Sequence, residues 1–272
     1  MGYYGDLHGE CIYWEDEVLS MSTAIIRIYT HGGFVIAADG RRLNGRTGAI
    51  AGEQEAKLFR LLHPSGIVCC AFAGAVQLTH KGTDTVGLDF RSETVRMAEA
   101  ITPERPKSLY HYADRLAAGL CEVRDGFESN PLNSADPAST TYLFLDGFFA
   151  GHAKRTKIEI PNGMPRKGRA VYPQELVPGR VEGYGSSLVM RVLFGKADTG
   201  KLASYRQKCH TRPTMTLSEA VEVALNVVKA HCDPEALRID PEVCAAIGGH
   251  IHVGTITPQN GFEWVPGLEP KS

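Results

Sequence analysis

Apolar positions run almost without a break over 24–29 and 34–38, and the stretch between them, Thr30-His31-Gly32-Gly33, is polar and glycine-bearing. That pattern predicts a β-hairpin, with glycines free to take positive φ in the turn. Ile67 to Ala73 is a short apolar run between Pro64-Ser65-Gly66 and Gly74, the mark of a fully buried strand at a sheet centre. Ala, Leu and Arg at helical spacing then predict helices over 92–100 and 107–123, with Pro103 and Pro106 as breakers. Thr140 to Phe149 reads as a strand entering an Asp146-Gly147 turn with a second strand after it, and Ala170-Val171-Tyr172 as a further short strand. Thr216-Leu217-Ser218-Glu219 is a capping box, and the helix it opens, about 217–231, carries Leu217, Ala220, Val221, Ala224, Leu225 and Val228 on one stripe. Strands, paired helices and a return to strands give a layered α+β arrangement with a mainly antiparallel sheet.

The chain has 272 residues, of which 43% are hydrophobic, enough to bury a large core. A single domain with insertions is expected, the insertions falling on the polar segments 125–138, 160–182 and 195–214. With 29 basic against 31 acidic side chains there is no electrostatic footprint for nucleic acid and no polybasic membrane patch. Seven cysteines, an odd number without C-x-x-C spacing, argue against a disulfide framework or zinc ribbon and fit a reducing cytoplasm. The first twenty residues hold five carboxylates, no lysine or arginine and no long apolar run, unlike a secretory signal or membrane span.

Certain residues recur in a telling order. Met21-Ser22-Thr23 precedes the first strand, Ala37-Ala38-Asp39-Gly40-Arg41 closes the second, and Lys57 stands before the apolar pair Leu58-Phe59. Ala71-Phe72-Ala73-Gly74 closes the buried strand, Gly183-Tyr184-Gly185-Ser186 opens a helix ending at Val192-Leu193, and 249–257 is a final strand. From about Thr23 to Gly261 this series resembles the β-type subunits of the proteasome family, which are N-terminal-nucleophile hydrolases. The resemblance implies a four-layer αββα sandwich and a domain over 23–272, with 1–22 a leader or a misassigned start.

It also implies roles. Thr23 is the expected nucleophile, with its own freed α-amine as base. A threonine hydroxyl is a poor nucleophile at neutral pH and needs such a base, and an amine with an unperturbed pKa near 8 is suited to it. Lys57 supplies positive charge, Asp39 orients Lys57, the Gly74 N–H stabilises the oxyanion, and Arg41 is a structural ion-pair partner. No cofactor and no metal is called for. Peptide or unfolded-protein substrates and a homo-oligomeric ring or helical assembly are the expected partners. Phe72, with Arg42, Val76 and Phe59, would shape a shallow first specificity pocket.

The chain also departs from the family pattern. Ser22 stands where processing sites place glycine, Cys244 and Ile247 fall on two supporting polar positions, and Tyr184 replaces a serine of the glycine-rich turn. Ser186 sits two residues later, and Asp240 could approach if the alignment shifts across the insertion. If translation starts at Met21, methionine removal exposes Ser22, an alternative nucleophile. A catalytically silent assembly protein and an amidase acting on small substrates are the competing readings. Taken singly, Asp39-Gly40 is a turn dipeptide, Lys57 a solvated charge and Thr23 a β-branched strand residue. His250 and His252, two apart on a strand, share a face, but no third ligand is identifiable from spacing.

Overall fold

A computed structural model describes residues 23–44, 47–63, 66–101, 104, 106–131, 133–134, 139–163, 168–195, 200 and 202–271. Residues 1–22, expected to be a leader or a misassigned start, lie outside these. In chain order the strands are β1 (Ile25–Thr30), β2 (Gly33–Ala38), β3 (Arg42–Leu43), β4 (Ile50–Gly52), β5 (Leu58–His63), β6 (Gly66–Gly74), β7 (Gln77–His80) and β8 (Val86–Asp89). They continue with β9 (Asn133–Ser134), β10 (Thr140–Phe149), β11 (His152–Pro161), β12 (Ala170–Pro173), β13 (Val181–Tyr184), β14 (His252–Thr257) and β15 (Gly261–Trp264). The helices are α1 (Phe90–Ile101), α2 (Leu109–Glu128), α3 (Ser187–Phe194), α4 (Ala203–Arg206), α5 (Leu217–Cys232), α6 (Pro234–Ile239) and α7 (Pro241–Cys244).

The chain divides into two compact units, the first taking in residues up to Leu58 and again from Leu176, the second being Phe59–Glu175. In the first, the sheet order is β13-β1-β2-β14-β15, with antiparallel pairing throughout. The predicted hairpin is present, with Thr30 paired to Gly33 across His31-Gly32. Strand alternation sends Ala24, Ile26, Ile28, Val35, Ala37 and Val253 to one face, where they pack on Ala220, Val223, Ala224 and Val227 of α5. The capping box forms as read: Thr216 Oγ1 accepts from the Glu219 N–H and Glu219 accepts from the Thr216 N–H. The opposite sheet face bears Ile25, Ala38 and His252 in one cross-strand row, and Arg27 in register with Glu182. All five are buried.

In the second unit the main sheet runs β12-β11-β10-β6-β5, and α2 covers it with Tyr112, Ala113, Leu116 and Leu120. The run Ile67–Ala73 is an inner strand as its apolar character required, but the middle of the sheet is β10. The Asp146-Gly147 turn is not found. β10 continues through both residues, with Asp146 paired to Cys69 and Arg155 and Gly147 to Val68 and Lys154. Asp146 is buried in an ion pair with Arg155 Nε at 2.5 Å, so the dipeptide that favours a turn at a surface serves here as strand interior. The reversal comes at Ala150 and Gly151, both at positive φ. The small sheets β3-β4 and β8-β7-β9 carry no alternation long enough to read.

Candidate functional site

Asp39 follows β2 and is wholly enclosed, and four donors converge on its carboxylate. Oδ1 accepts from Lys57 Nζ at 2.8 Å and from the Ala24 N–H at 2.9 Å; Oδ2 accepts from the Gly248 N–H at 3.1 Å and the Arg41 N–H at 3.2 Å. Lys57 Nζ also donates to Thr23 Oγ1 at 3.0 Å. Thr23, Asp39 and Lys57 are therefore brought together in the first unit, on three separate segments, all buried. The ammonium bridges a hydroxyl and a carboxylate where water cannot screen it, so its charge acts on Thr23 Oγ1 at close range.

Local geometry fixes these groups. The Asp39 N–H donates to the Ala24 carbonyl, so the backbone before β1 and that after β2 are tied in both directions. The Gly40 and Arg41 N–H groups both donate to the Gly248 carbonyl. The Arg41 guanidinium bonds Glu53 and the carbonyls of Ala245 and Ile247, which answers to its expected structural role and adds carbonyl partners that spacing did not reveal. Gly249 at φ +76° lets this loop close, because a Cβ there would lie 2.4 Å from the Glu53 carbonyl oxygen.

Ser186 caps α3 by accepting from the Val189 N–H, and its hydroxyl donates to Asp240 Oδ2 at 2.6 Å. Asp240 in turn caps α7 through the Val243 N–H. Cys244 and Ile247 contribute side chains to the buried apolar cluster, and Ile247 acts on the site through its carbonyl alone. Burial pushes the Cys244 and Cys232 thiols up to about 12, so neither is a thiolate at neutral pH. His231 is held below the ordinary histidine value chiefly by burial, and its Nδ1 donates to the Val227 carbonyl at 2.8 Å. Gly185 is wedged between this ring and Ala24: a Cβ there would meet His231 Nε2 at 3.3 Å and the Ala24 Cα at 3.5 Å.

Gly74, at the end of β6, belongs to the second unit. Its φ is +75° and a Cβ would lie 2.0 Å from the Thr140 carbonyl oxygen, so only glycine is accommodated. In the same unit Phe72 stacks on Phe59 with ring centroids 5.3 Å apart, which commits its face to the core, and Val76 is half-buried. Arg42, in the first unit, pairs with Glu55 at 3.4 Å. Among the described residues no group of three or more His, Cys, Asp or Glu is placed to hold a metal. His250 Nε2 donates to the Glu269 carbonyl, and its ring meets His252 edge-on.

No protein-family model matches the chain, and no curated protein matches it by sequence. Solved structures do match by shape. One is the Anbu (Gly-1) mutant from Hyphomicrobium sp. strain MC1, at a TM-score of 0.52 and 15% identity, covering 91% of this chain and 88% of the other. Anbu (ancestral beta-subunit) from Yersinia bercovieri aligns with a TM-score of 0.53, the same 15% identity and the same coverage. The fold is proteasome-like. The α+β class expected from the sequence is thus the one found, and at this identity the likeness speaks for the fold alone.

The Thr23, Asp39 and Lys57 positions were legible through the order of motifs. The Gly248 N–H and Glu53 were not assigned roles from spacing, and Ser186 and Asp240, singled out in the sequence, were not expected to bond each other. Only the Gly248-Gly249 pair and Asp240 just ahead of a proline hinted at a tight loop and a helix cap.

Proposed function

We propose that the chain is a proteasome-like N-terminal-nucleophile hydrolase of the threonine type, cleaving peptide or amide bonds through an acyl-enzyme. The observation that carries this reading is the buried Lys57 ammonium donating to both Thr23 Oγ1 and Asp39 Oδ1.

The chemistry begins when Thr23 becomes the first residue. While Ser22 is joined to it, the Thr23 nitrogen is an amide without a basic lone pair. Freed, it is an amine of roughly pKa 8 that takes the Oγ1 proton as the oxygen attacks the carbonyl. The Lys57 charge favours the developing alkoxide, and Asp39 fixes where Lys57 points. Gly74 is the residue to which the resemblance assigns the oxyanion role. Collapse expels the amine with the transferred proton and leaves an ester on Thr23, which water then hydrolyses.

The expected setting is a cytoplasmic homo-oligomer acting on peptides or unfolded protein. No described helix is long and apolar enough to cross a membrane. A second reading, a silent assembly protein that retains its leader, draws on Ser22 before Thr23 and on the apolar placement of Cys244 and Ile247. Intact mass of protein expressed from Met1 and from Met21, beside Thr23→Ala, separates them. A wild-type chain beginning at Thr23 and a variant retaining its leader support the threonine mechanism. A start at Ser22 redirects it to a serine nucleophile, and an uncleaved chain from Met1 without turnover supports the silent protein.

A further inference from the structure

Just past the end of β6, a chain of buried hydrogen bonds ties three segments of the second unit together. The Ala75 N–H donates to the Thr140 carbonyl at 3.0 Å, and the Ala75 carbonyl accepts from Thr141 Oγ1. Thr141 Oγ1 in turn accepts from Asn162 Nδ2 at 3.0 Å, and the Asn162 N–H donates to the Ser139 carbonyl. Thr141 and Asn162 are fully enclosed and Ala75 nearly so. The direction of the chain is fixed, because the one hydrogen of the Thr141 hydroxyl goes to Ala75 and Asn162 must therefore present its NH2. That leaves Asn162 Oδ1 buried with no partner among the described residues. An orphaned oxygen of this kind is costly and an apolar side chain would avoid it, so the amide is there for its donor half.

What these bonds hold is the bend at Gly74, whose φ is +75°. Bonding directions alternate along an antiparallel ladder. On β10 Thr140 bonds toward β6, and Ser139 just before it bonds toward β11, so Tyr142 bonds its register partner Ala73 and the Gly74 N–H turns away from β10. On that side lies β5, which has six residues to the nine of β6 and follows it from the opposite end, so β5 starts short of Gly74. We propose that Thr141 and Asn162 are positioning residues: the Thr141 hydroxyl, oriented by Asn162, holds the Ala75 carbonyl while the Thr140 carbonyl holds its N–H, and the pair keeps Gly74 in its left-handed conformation and aims its N–H. The clamp stands apart from the hydrolase reading; its effect on turnover rests on that reading, with Gly74 as the oxyanion donor. Such a donor is effective when it is already aimed as charge develops, and bonds on the next residue, out of reach of water, supply that fixity.

The test begins with NMR and hydrogen exchange of the Gly74 and Ala75 amides in the full-length chain. Thr141→Val keeps the shape and removes the hydroxyl, and Thr141→Ser keeps the hydroxyl. In Thr141→Val the Gly74 resonance should shift and the Ala75 N–H should exchange about tenfold faster, beyond any change shared by the amides of α2, with Thr141→Ser close to wild type. Asn162→Leu removes the donor together with the orphaned oxygen, so it should loosen the same two amides with little change in overall stability. If that variant does not fold, the Thr141 variants decide alone. Gly74 and Ala75 amides unchanged in Thr141→Val overturn the proposal. Peptide turnover by a chain beginning at Thr23 is the second readout. Thr141→Val should lower kcat about tenfold with KM within about twofold of wild type, the mark of an interaction made in the transition state, and Thr141→Ser should restore it. An unchanged kcat, or a loss that Thr141→Ser does not recover, overturns the positioning role. Altered amides where the wild-type chain itself shows no turnover overturn the hydrolase reading and leave the clamp on Gly74 standing.

Discussion

Asp39 is the residue on which the candidate site depends, because one carboxylate collects an ammonium and three backbone N–H groups from stretches far apart in the chain. Asp39→Asn keeps the size and removes the charge, and it turns an NH2 donor toward at least one of these donors. Loss of a buried charge partner costs about 3–5 kcal/mol, because Lys57 is left enclosed and uncompensated. The expected outcome in urea is a large fall in the unfolding midpoint with an unchanged slope; a change under about 1 kcal/mol would show that Lys57 finds water instead. Ser186 has a smaller part. Ser186→Ala removes the α3 cap and the donor to Asp240, for an expected loss of about 1–2 kcal/mol in the same measurement. Stability equal to wild type would mean that neither bond persists in solution.

At the scale of elements, local signals were read correctly where the causes are local. The hairpin of β1 and β2 needs only two apolar runs and a glycine turn, and the α5 capping box closes within three residues. Asp146-Gly147 misled because its cause is distant: Asp146 meets Arg155 nine residues on, across a strand pair that the dipeptide alone does not announce. The site divides in the same way. Thr23, Asp39 and Lys57 were found by their order along the chain, whereas Asp39 to Gly248 spans 209 positions and needs the folded sheet to appear. The buried Asp146–Arg155 pair makes a further prediction. Asp146→Ala removes the carboxylate that Arg155 Nε meets between β10 and β11 and should cost about 3–5 kcal/mol, while Asp146→Leu with Arg155→Met should be far closer to wild type. Thermal unfolding of the two variants checks this, and equal losses would show that the ion pair itself, not the loss of one member of it, is what matters.

For the whole molecule, the first unit is assembled from two stretches of chain with the second unit between them, so its stability is that of a discontinuous structure. Three buried histidines make it sensitive to pH. His231 and His252 in the first unit and His63 in the second are all held below the ordinary value near 6.5, in each case chiefly by burial. In the unfolded chain each takes up a proton as pH falls through that ordinary value, while the folded chain does not. The stability gained by keeping them neutral is therefore complete above about pH 6.5 and is lost progressively as pH falls toward the folded value, about 4 for His252. His252 alone should remove roughly 2 kcal/mol between about pH 7.5 and pH 5. That window lies above the range in which most carboxylates take up protons, so the loss can be assigned to histidine. Urea midpoints measured across it should fall steadily in wild type and less steeply in His252→Phe, which has no proton to gain. A flat wild-type profile would mean that these imidazoles are hydrated and charge freely in the folded state, and parallel slopes for the two proteins would clear His252 while leaving His231 and His63 responsible.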